Sequence, residues 1–260
     1  MFELEPYLLG LAVLLAVTAV VWVVSLIKRD ASIVDPLWSI LFLAAGLTYA
    51  ARSTAPAGDR RTLILVLVSV WALRLSLYLL WRARGKDEDY RYQAMREKQG
   101  PNFPLKSLFT VFWLQAMLAW VVSAPLLASV DGSGDLGVLA WLGVAVWAVG
   151  LFFEAVGDLQ LARFKANPAN AGSVLDRGVW RYTRHPNYFG DFAIWWGFFL
   201  IAADAGGWWS VYGSLLMSFL LLRVSGVAML EKTISKRRPA YEVYTRTTNA
   251  FFPGPKKVLR

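Results

Sequence analysis

Apolar residues run along this chain in blocks of about 20, the length an α-helix needs to cross the hydrocarbon core of a bilayer. The blocks centre near Leu15, Leu43, Val68, Ala116, Val146, Leu200 and Leu216. This pattern predicts an all-α, polytopic membrane protein with seven transmembrane helices in a single domain over residues 1–260. The first block follows acidic Glu3 and Glu5 instead of a basic n-region and shows no small-residue cleavage site, so it is expected to stay as a helix. No repeat or low-complexity tract interrupts the series.

The polar positions are patterned as well. Helical spacing continues past the fifth block through E-A-V-G-D-L-Q-L-A-R-F-K, where Glu154, Asp158 and Lys165 return to one helical face, until Asn167-Pro168 breaks it. The segment R-Y-T-R-H-P-N-Y-F-G-D, Arg181 to Asp191, stands at the mouth of the sixth block. Pro186 suits the first turn of a new helix, on which Asn187 and Asp191 are i, i+4 neighbours beside Tyr188. A helix N-terminus with Arg181 and Arg184 next to it suits phosphate. The alternative is that these residues only cap a helix at the membrane interface.

Asp35 begins D-P-L-W-S at the start of the second block. It reads either as an N-cap before Pro36 or as a partly buried acid that stays protonated and donates to a carbonyl. Arg74 and Tyr78 form an i, i+4 pair within the third block. The polar run W-R-A-R-G-K-D-E-D-Y-R-Y-Q after that block is expected to be structured against the other loops, whereas D-G-S-G-D, Asp131 to Asp135, reads as a plain turn.

Charge adds an orientation. With the N-terminus outside and the C-terminus cytoplasmic, the cytoplasmic segments hold 22 of the 27 Lys and Arg residues, as the bias of short cytoplasmic loops toward positive charge demands. The net charge of +9 gathers at helix ends, where it meets anionic lipid headgroups or an anionic cofactor; its location argues against nucleic acid. Composition supports the membrane reading, with 57% hydrophobic and 15% aromatic residues. The absence of cysteine excludes disulfides, thiolate nucleophiles and cysteine metal sites, and a lone histidine, His185, excludes a multi-histidine metal centre. No metal is expected. The C-terminal run from Glu231 combines a carboxylate, a basic cluster and the tyrosines Tyr241 and Tyr244.

The segments G-V-W-R-Y-T-R-H-P-N-Y-F-G-D-F, D-P-L-W-S, R-G-K-D-E-D-Y-R-Y and L-E-K-T-I-S-K-R-R-P-A-Y-E-V-Y resemble a bacterial member of the steroid 5-alpha-reductase superfamily, most strongly over 154–253. Isoprenylcysteine carboxyl methyltransferases and sterol reductases carry similar H-P-N-Y-x-G segments. The resemblance implies a seven-helix fold that binds NADPH in a cytoplasm-facing cavity of the bacterial inner membrane. Its cofactor candidates here are Glu154, Asp158, Arg163, Lys165, Asn187, Tyr188, Asp191, Arg223 and Glu231; charge and position add Arg181, Arg184, His185, Tyr241 and Tyr244. The family's catalytic Glu and Tyr carry over to Asp35 and Tyr78, with Trp38, Ser39, Trp71 and Arg74 as substrate-binding candidates. The implied reaction is NADPH-dependent reduction of the double bond of a lipophilic enone, a 3-keto-steroid first, with acids stabilising the carbonyl oxygen. Two alternatives stay open: a methyltransferase that uses S-adenosylmethionine on a lipophilic or prenylated acceptor, and a non-enzymatic lipid-binding protein.

Overall fold

The computed structural model describes residues 3–55, 58–224 and 240–257. Among them every regular element is helical. Five helices are long and apolar enough to cross a membrane, over Leu4–Lys28, Ala31–Arg52, Asp59–Ala83, Tyr90–Val122 and Val138–Ala166, as fits an integral membrane protein. The sixth expected block is helix Pro186–Asp204. Asn187, Tyr188, Gly190 and Asp191 lower its hydropathy. The seventh lies on a shorter apolar helix, Trp208–Val224.

The chain divides into two compact units. The first comprises Met1–Leu136 and Ala202–Gly213. Its helices are α1 (Leu4–Lys28), α2 (Val34–Arg52), α3 (Asp59–Ala83), α4 (Tyr90–Gln99), α5 (Phe103–Ser107), α6 (Leu114–Val122) and α7 (Ala124–Val130). A π-helical stretch, Leu108–Trp113, joins α5 to α6. The core between α2 and α3 is large and apolar, with Leu41, Phe42, Ala45, Ile64, Val68 and Trp71 buried. Gly10 of α1 lets Tyr49 of α2 approach, since a β-carbon there would lie 2.5 Å from the Tyr49 ring. The Tyr49 hydroxyl reaches Ser123 Oγ at 2.7 Å, so a buried polar group is satisfied inside the bundle. Near the start of α3, Arg60 Nη2 donates to Asp204 Oδ2 at 2.8 Å and to the Asp135 carbonyl at 2.7 Å.

The polar run after α3 is structured, as its mixed charges predict. Glu88 accepts from the Ala31 amide at 2.7 Å and pairs with Arg96, whose guanidinium lies over the Phe103 ring. Asp89 caps α4 by accepting from the Arg91 amide at 3.0 Å. Beneath these contacts Ala31, Val34, Tyr92, Phe103, Val111 and Phe112 form one buried apolar cluster.

The second unit comprises Gly137–Ile201 and Ser214–Arg260. Its spine is α8 (Val138–Ala166), 29 residues long, or roughly 44 Å at 1.5 Å per residue. That outruns a hydrocarbon core of about 30 Å. The helix ends at Asn167-Pro168, where the sequence places the break. Against it runs α9 (Pro186–Asp204), which Pro186 opens as expected. Glycines decide how closely the two meet. A β-carbon on Gly143 would lie 2.7 Å from the Gly197 carbonyl oxygen, one on Gly150 2.6 Å from that of Gly190, and one on Gly157 3.2 Å from the Pro186 ring. The three α8 glycines are seven residues apart and meet α9 in antiparallel order. Backbone contact of this kind is what small residues allow where lipid offers no hydrophobic drive for helix association. The unit also holds the Ser214–Phe219 part of α10 (Val211–Phe219), a π-helical turn over Leu220–Val224, and the C-terminal helix Ala240–Thr247.

Candidate functional site

The glycine contacts of the second unit set the site. Because Gly157 leaves space for Pro186 and Asn187, the N-terminus of α9 sits directly on α8. Glu154 and Asp158, one turn apart on α8, are 3% and 4% exposed. Asn187 Nδ2 donates to Asp158 Oδ1 at 3.3 Å. The Phe189 amide donates to the His185 carbonyl, and the buried His185 ring stacks at 5.9 Å on Tyr188. Glu154, Asp158, His185, Asn187, Tyr188 and Asp191 therefore belong to one helix pair. The arrangement offers carboxylate acceptors and a carboxamide in a largely dry setting, the kind of groups that hold ribose hydroxyls and an amide.

Other expected residues are placed differently. Arg184 is buried, and its Nη1 donates to the Thr245 and Thr248 carbonyls at 2.7 and 3.3 Å, while its amide donates to the Asn249 carbonyl. Its guanidinium holds the C-terminal helix in place. Tyr244 donates its hydroxyl to the Trp180 and Thr183 carbonyls, and burial pushes that phenol above its usual range. Tyr241 is buried with its ring 5.6 Å from that of Tyr244. Arg184 and Tyr244 fasten the C-terminal segment to the loop before α9, as do the Thr183 hydroxyl on the Phe251 carbonyl and the Gly254 amide on the Tyr182 carbonyl. Arg181, Arg163, Lys165 and Arg223 are exposed. Glu231 lies outside the described residues.

In the first unit, Asp35 lies in the first turn of α2, one residue past its start, so it is not the N-cap that its place before Pro36 suggests. Both its oxygens accept: Oδ2 from Arg91 at 2.6 Å and Oδ1 from the Tyr92 hydroxyl at 2.7 Å. The expected donor to a substrate carbonyl is thus an acceptor that anchors α4. Arg91 also bonds Asp89 at 2.8 Å. Burial alone would push the Asp89 carboxyl up, but the Arg91 guanidinium and amide outweigh it and hold that carboxyl below the usual range. The Arg74 and Arg82 guanidiniums lie 5.6 and 5.7 Å from the centre of the Tyr78 ring. Trp38 packs edge-on against Phe42, Trp71 is fully buried 5.7 Å from Phe42, and Ser39 Oγ donates to the Ala72 carbonyl at 2.9 Å. Ser39 and Trp71 belong to the α2–α3 contact, and Trp38 packs on a neighbour of its own helix.

Sequence reasoning missed Tyr92 and Arg91 as the partners of Asp35, and Gln160, Arg177 and Gly178 beside Arg163. The last four line a cavity of about 340 Å³ at the end of α8. Gly178 was a legible signal, because it takes a positive φ of 61° and a β-carbon there would collide with the Gln160 amide. Among the described residues, no three His, Asp or Glu side chains gather as a metal site.

An uncharacterized protein of Schizosaccharomyces pombe is 25% identical over 97% of this chain and 81% of its own length. A probable O-methyltransferase, ustE of Ustilaginoidea virens, is 32% identical over 46% of this chain and 42% of its own length. No solved structure gives a significant match. The model of the family described as protein of unknown function DUF1295 matches residues 21–248, and the chain belongs to that family.

Proposed function

We propose that the protein is a membrane reductase of the steroid 5-alpha-reductase type, which reduces the carbon-carbon double bond of a lipophilic enone with NADPH. The observation that supports this most is the contact of Asn187 with Asp158 beside buried Glu154. Carboxylates accept from ribose hydroxyls, and the Asn187 amide both donates and accepts. The exposed Arg181, Lys165 and Arg223 supply positive charge for phosphates. NADPH, when bound, supplies the hydride. Arg184 and Tyr244 have no part in the proposal, because backbone carbonyls occupy them.

As the double bond is reduced, negative charge develops on the ketone oxygen, and a preorganised donor there contributes roughly 3 kcal/mol. Following the resemblance, we assign that donor to Tyr78, whose ring centre lies 5.6 and 5.7 Å from the Arg74 and Arg82 guanidiniums. Asp35 is not assigned, since both its oxygens accept. The topology that goes with this reading has seven spans, the N-terminus outside and the basic loops in the cytoplasm of a bacterial cell.

A second reading, methyl transfer from S-adenosylmethionine to a lipophilic acceptor, is kept because one partial relative carries the name of a probable O-methyltransferase. The test is NADPH oxidation by detergent-purified protein given a 3-keto-4-ene steroid. Steroid-dependent oxidation, slowed at least tenfold in Tyr78→Phe, is the expected result. Binding of S-adenosylmethionine alone would move the protein to the methyltransferases.

A further inference from the structure

The cavity at the end of α8 lies on a different face of that helix from the Glu154, Asp158 and Lys165 stripe. Gln160, Arg163, Phe164 and Asn167 line it at i, i+3, i+4 and i+7. At 3.6 residues per turn, these are centred more than a third of a turn away from the carboxylates. Arg163, which sequence spacing groups with the cofactor residues, therefore belongs to another place. Leu175 and Arg177 close the cavity from the loop that follows.

The lining is one-sided in charge. It carries two guanidiniums and no carboxylate. Among the described residues neither Arg163 nor Arg177 forms an ion pair, whereas Arg52, Arg60, Arg91, Arg96 and Arg246 each do. The nearby Asp176 is paired with Lys256 at 3.0 Å. The amides add donors. Gln160 Oε1 accepts from the Val179 amide at 3.0 Å and Asn167 Oδ1 from the Ala169 amide at 3.0 Å, which leaves both NH2 groups for a ligand. Phe164 and Leu175 supply an apolar wall. A volume of about 340 Å³ is at the small end of the roughly 300–1,000 Å³ usual for ligand pockets. That is room for a phosphate and the group that carries it.

We infer that this cavity is a phosphate-ester site, separate from the Asp158–Asn187 site, formed by Arg163, Arg177, Gln160 and Asn167. Paired guanidiniums match phosphate oxygens in geometry as well as charge. The ester comes from one of two sources: an anionic phospholipid headgroup, since the cavity closes the end of a membrane-spanning helix, or a soluble nucleotide. The inference does not depend on the reductase reading.

The experiment uses the full chain in a non-ionic detergent, with native mass spectrometry for phosphatidic acid against phosphatidylcholine and titration with adenosine 2'-monophosphate at low salt. Wild type is expected to bind phosphatidic acid in preference to phosphatidylcholine, or to bind the nucleotide; the arm that responds names the source. Arg163→Gln with Arg177→Gln is expected to weaken that binding at least tenfold. Arg163→Lys with Arg177→Lys keeps the charge and is expected to lose less, which preserves the test should the glutamine pair fail to fold. Lys257→Gln, a surface control, and Asn187→Ala are expected to bind as wild type. Binding of neither phosphate ester, or equal binding by wild type and every Arg163/Arg177 variant, would overturn the inference. Loss of NADPH binding in Asn187→Ala with phosphate binding intact would separate the two sites.

Discussion

Gly150 of α8 and Gly190 of α9 touch backbone to backbone: a β-carbon on Gly190 would lie 2.5 Å from the Gly150 carbonyl oxygen and 2.5 Å from the Glu154 amide nitrogen. Rigid main-chain atoms, not flexible side chains, occupy that space. The contact brings the start of α9 onto the face of α8 that carries Glu154 and Asp158.

Replacing Gly150 or Gly190 by Val should therefore push the helices apart. Overpacking of this kind costs about 1–3 kcal/mol or more, and the site would open with it. Thermal unfolding in detergent should show a lowered midpoint for both variants. Gly58→Ala is the control, because a β-carbon there meets nothing within 4 Å. A midpoint for Gly150→Val equal to that of the control would refute the close contact.

The Arg60–Asp204 pair gives a second prediction. Arg60 is 2% exposed and Asp204 10%, so removing one partner strands a buried charge, which costs about 3–5 kcal/mol. Asp204→Ala should be strongly destabilised, and Arg60→Met with Asp204→Leu should recover much of the loss. A double variant no better than the single would mean that the other contacts of these residues dominate.

Acid should loosen the α4 segment. The Asp89 carboxyl is held below its ordinary value, about 3.9, so its contribution to stability is complete above that pH and is lost as pH falls through the lower folded value. The unfolding midpoint of wild type should drop on acidification below about pH 4, and that of Asp89→Asn should drop less. Identical pH profiles would show that Asp89 does not hold the segment.

The site itself gives the fourth. Losing a hydrogen bond to a charged group costs about 1.5–3 kcal/mol, which corresponds to a rise of roughly tenfold to a hundredfold in Kd. Asn187→Ala and Asp158→Ala should weaken NADPH binding by that order in equilibrium titrations, with turnover falling in step. Tyr78→Phe should leave NADPH affinity unchanged and lower kcat.

Much of the second unit was legible in the sequence. The continued helical spacing to Lys165, the break at Asn167-Pro168 and the opening of α9 at Pro186 are local signals, and local backbone chemistry decides them. The glycine contact was missed, although the spacing of seven between Gly143, Gly150 and Gly157 was a signal for it. Partner choice was not legible. Charge and position alone give Arg184 to phosphate, but a guanidinium serves carbonyl oxygens as well, and only the fold shows that Thr245 and Thr248 hold it. Asp35 is the mirror case. Its place at a helix start suggests a cap or an acid, while its partners Arg91 and Tyr92 stand 56 and 57 residues away.

The most direct measurement is the NADPH and S-adenosylmethionine affinity of the purified wild-type protein beside Asn187→Ala. NADPH binding that weakens at least tenfold in the variant, with the protein still folded at the assay temperature, is the predicted result. NADPH affinity equal in both proteins, or S-adenosylmethionine binding with none for NADPH, would contradict the assignment of the Asp158–Asn187 site to a nicotinamide cofactor.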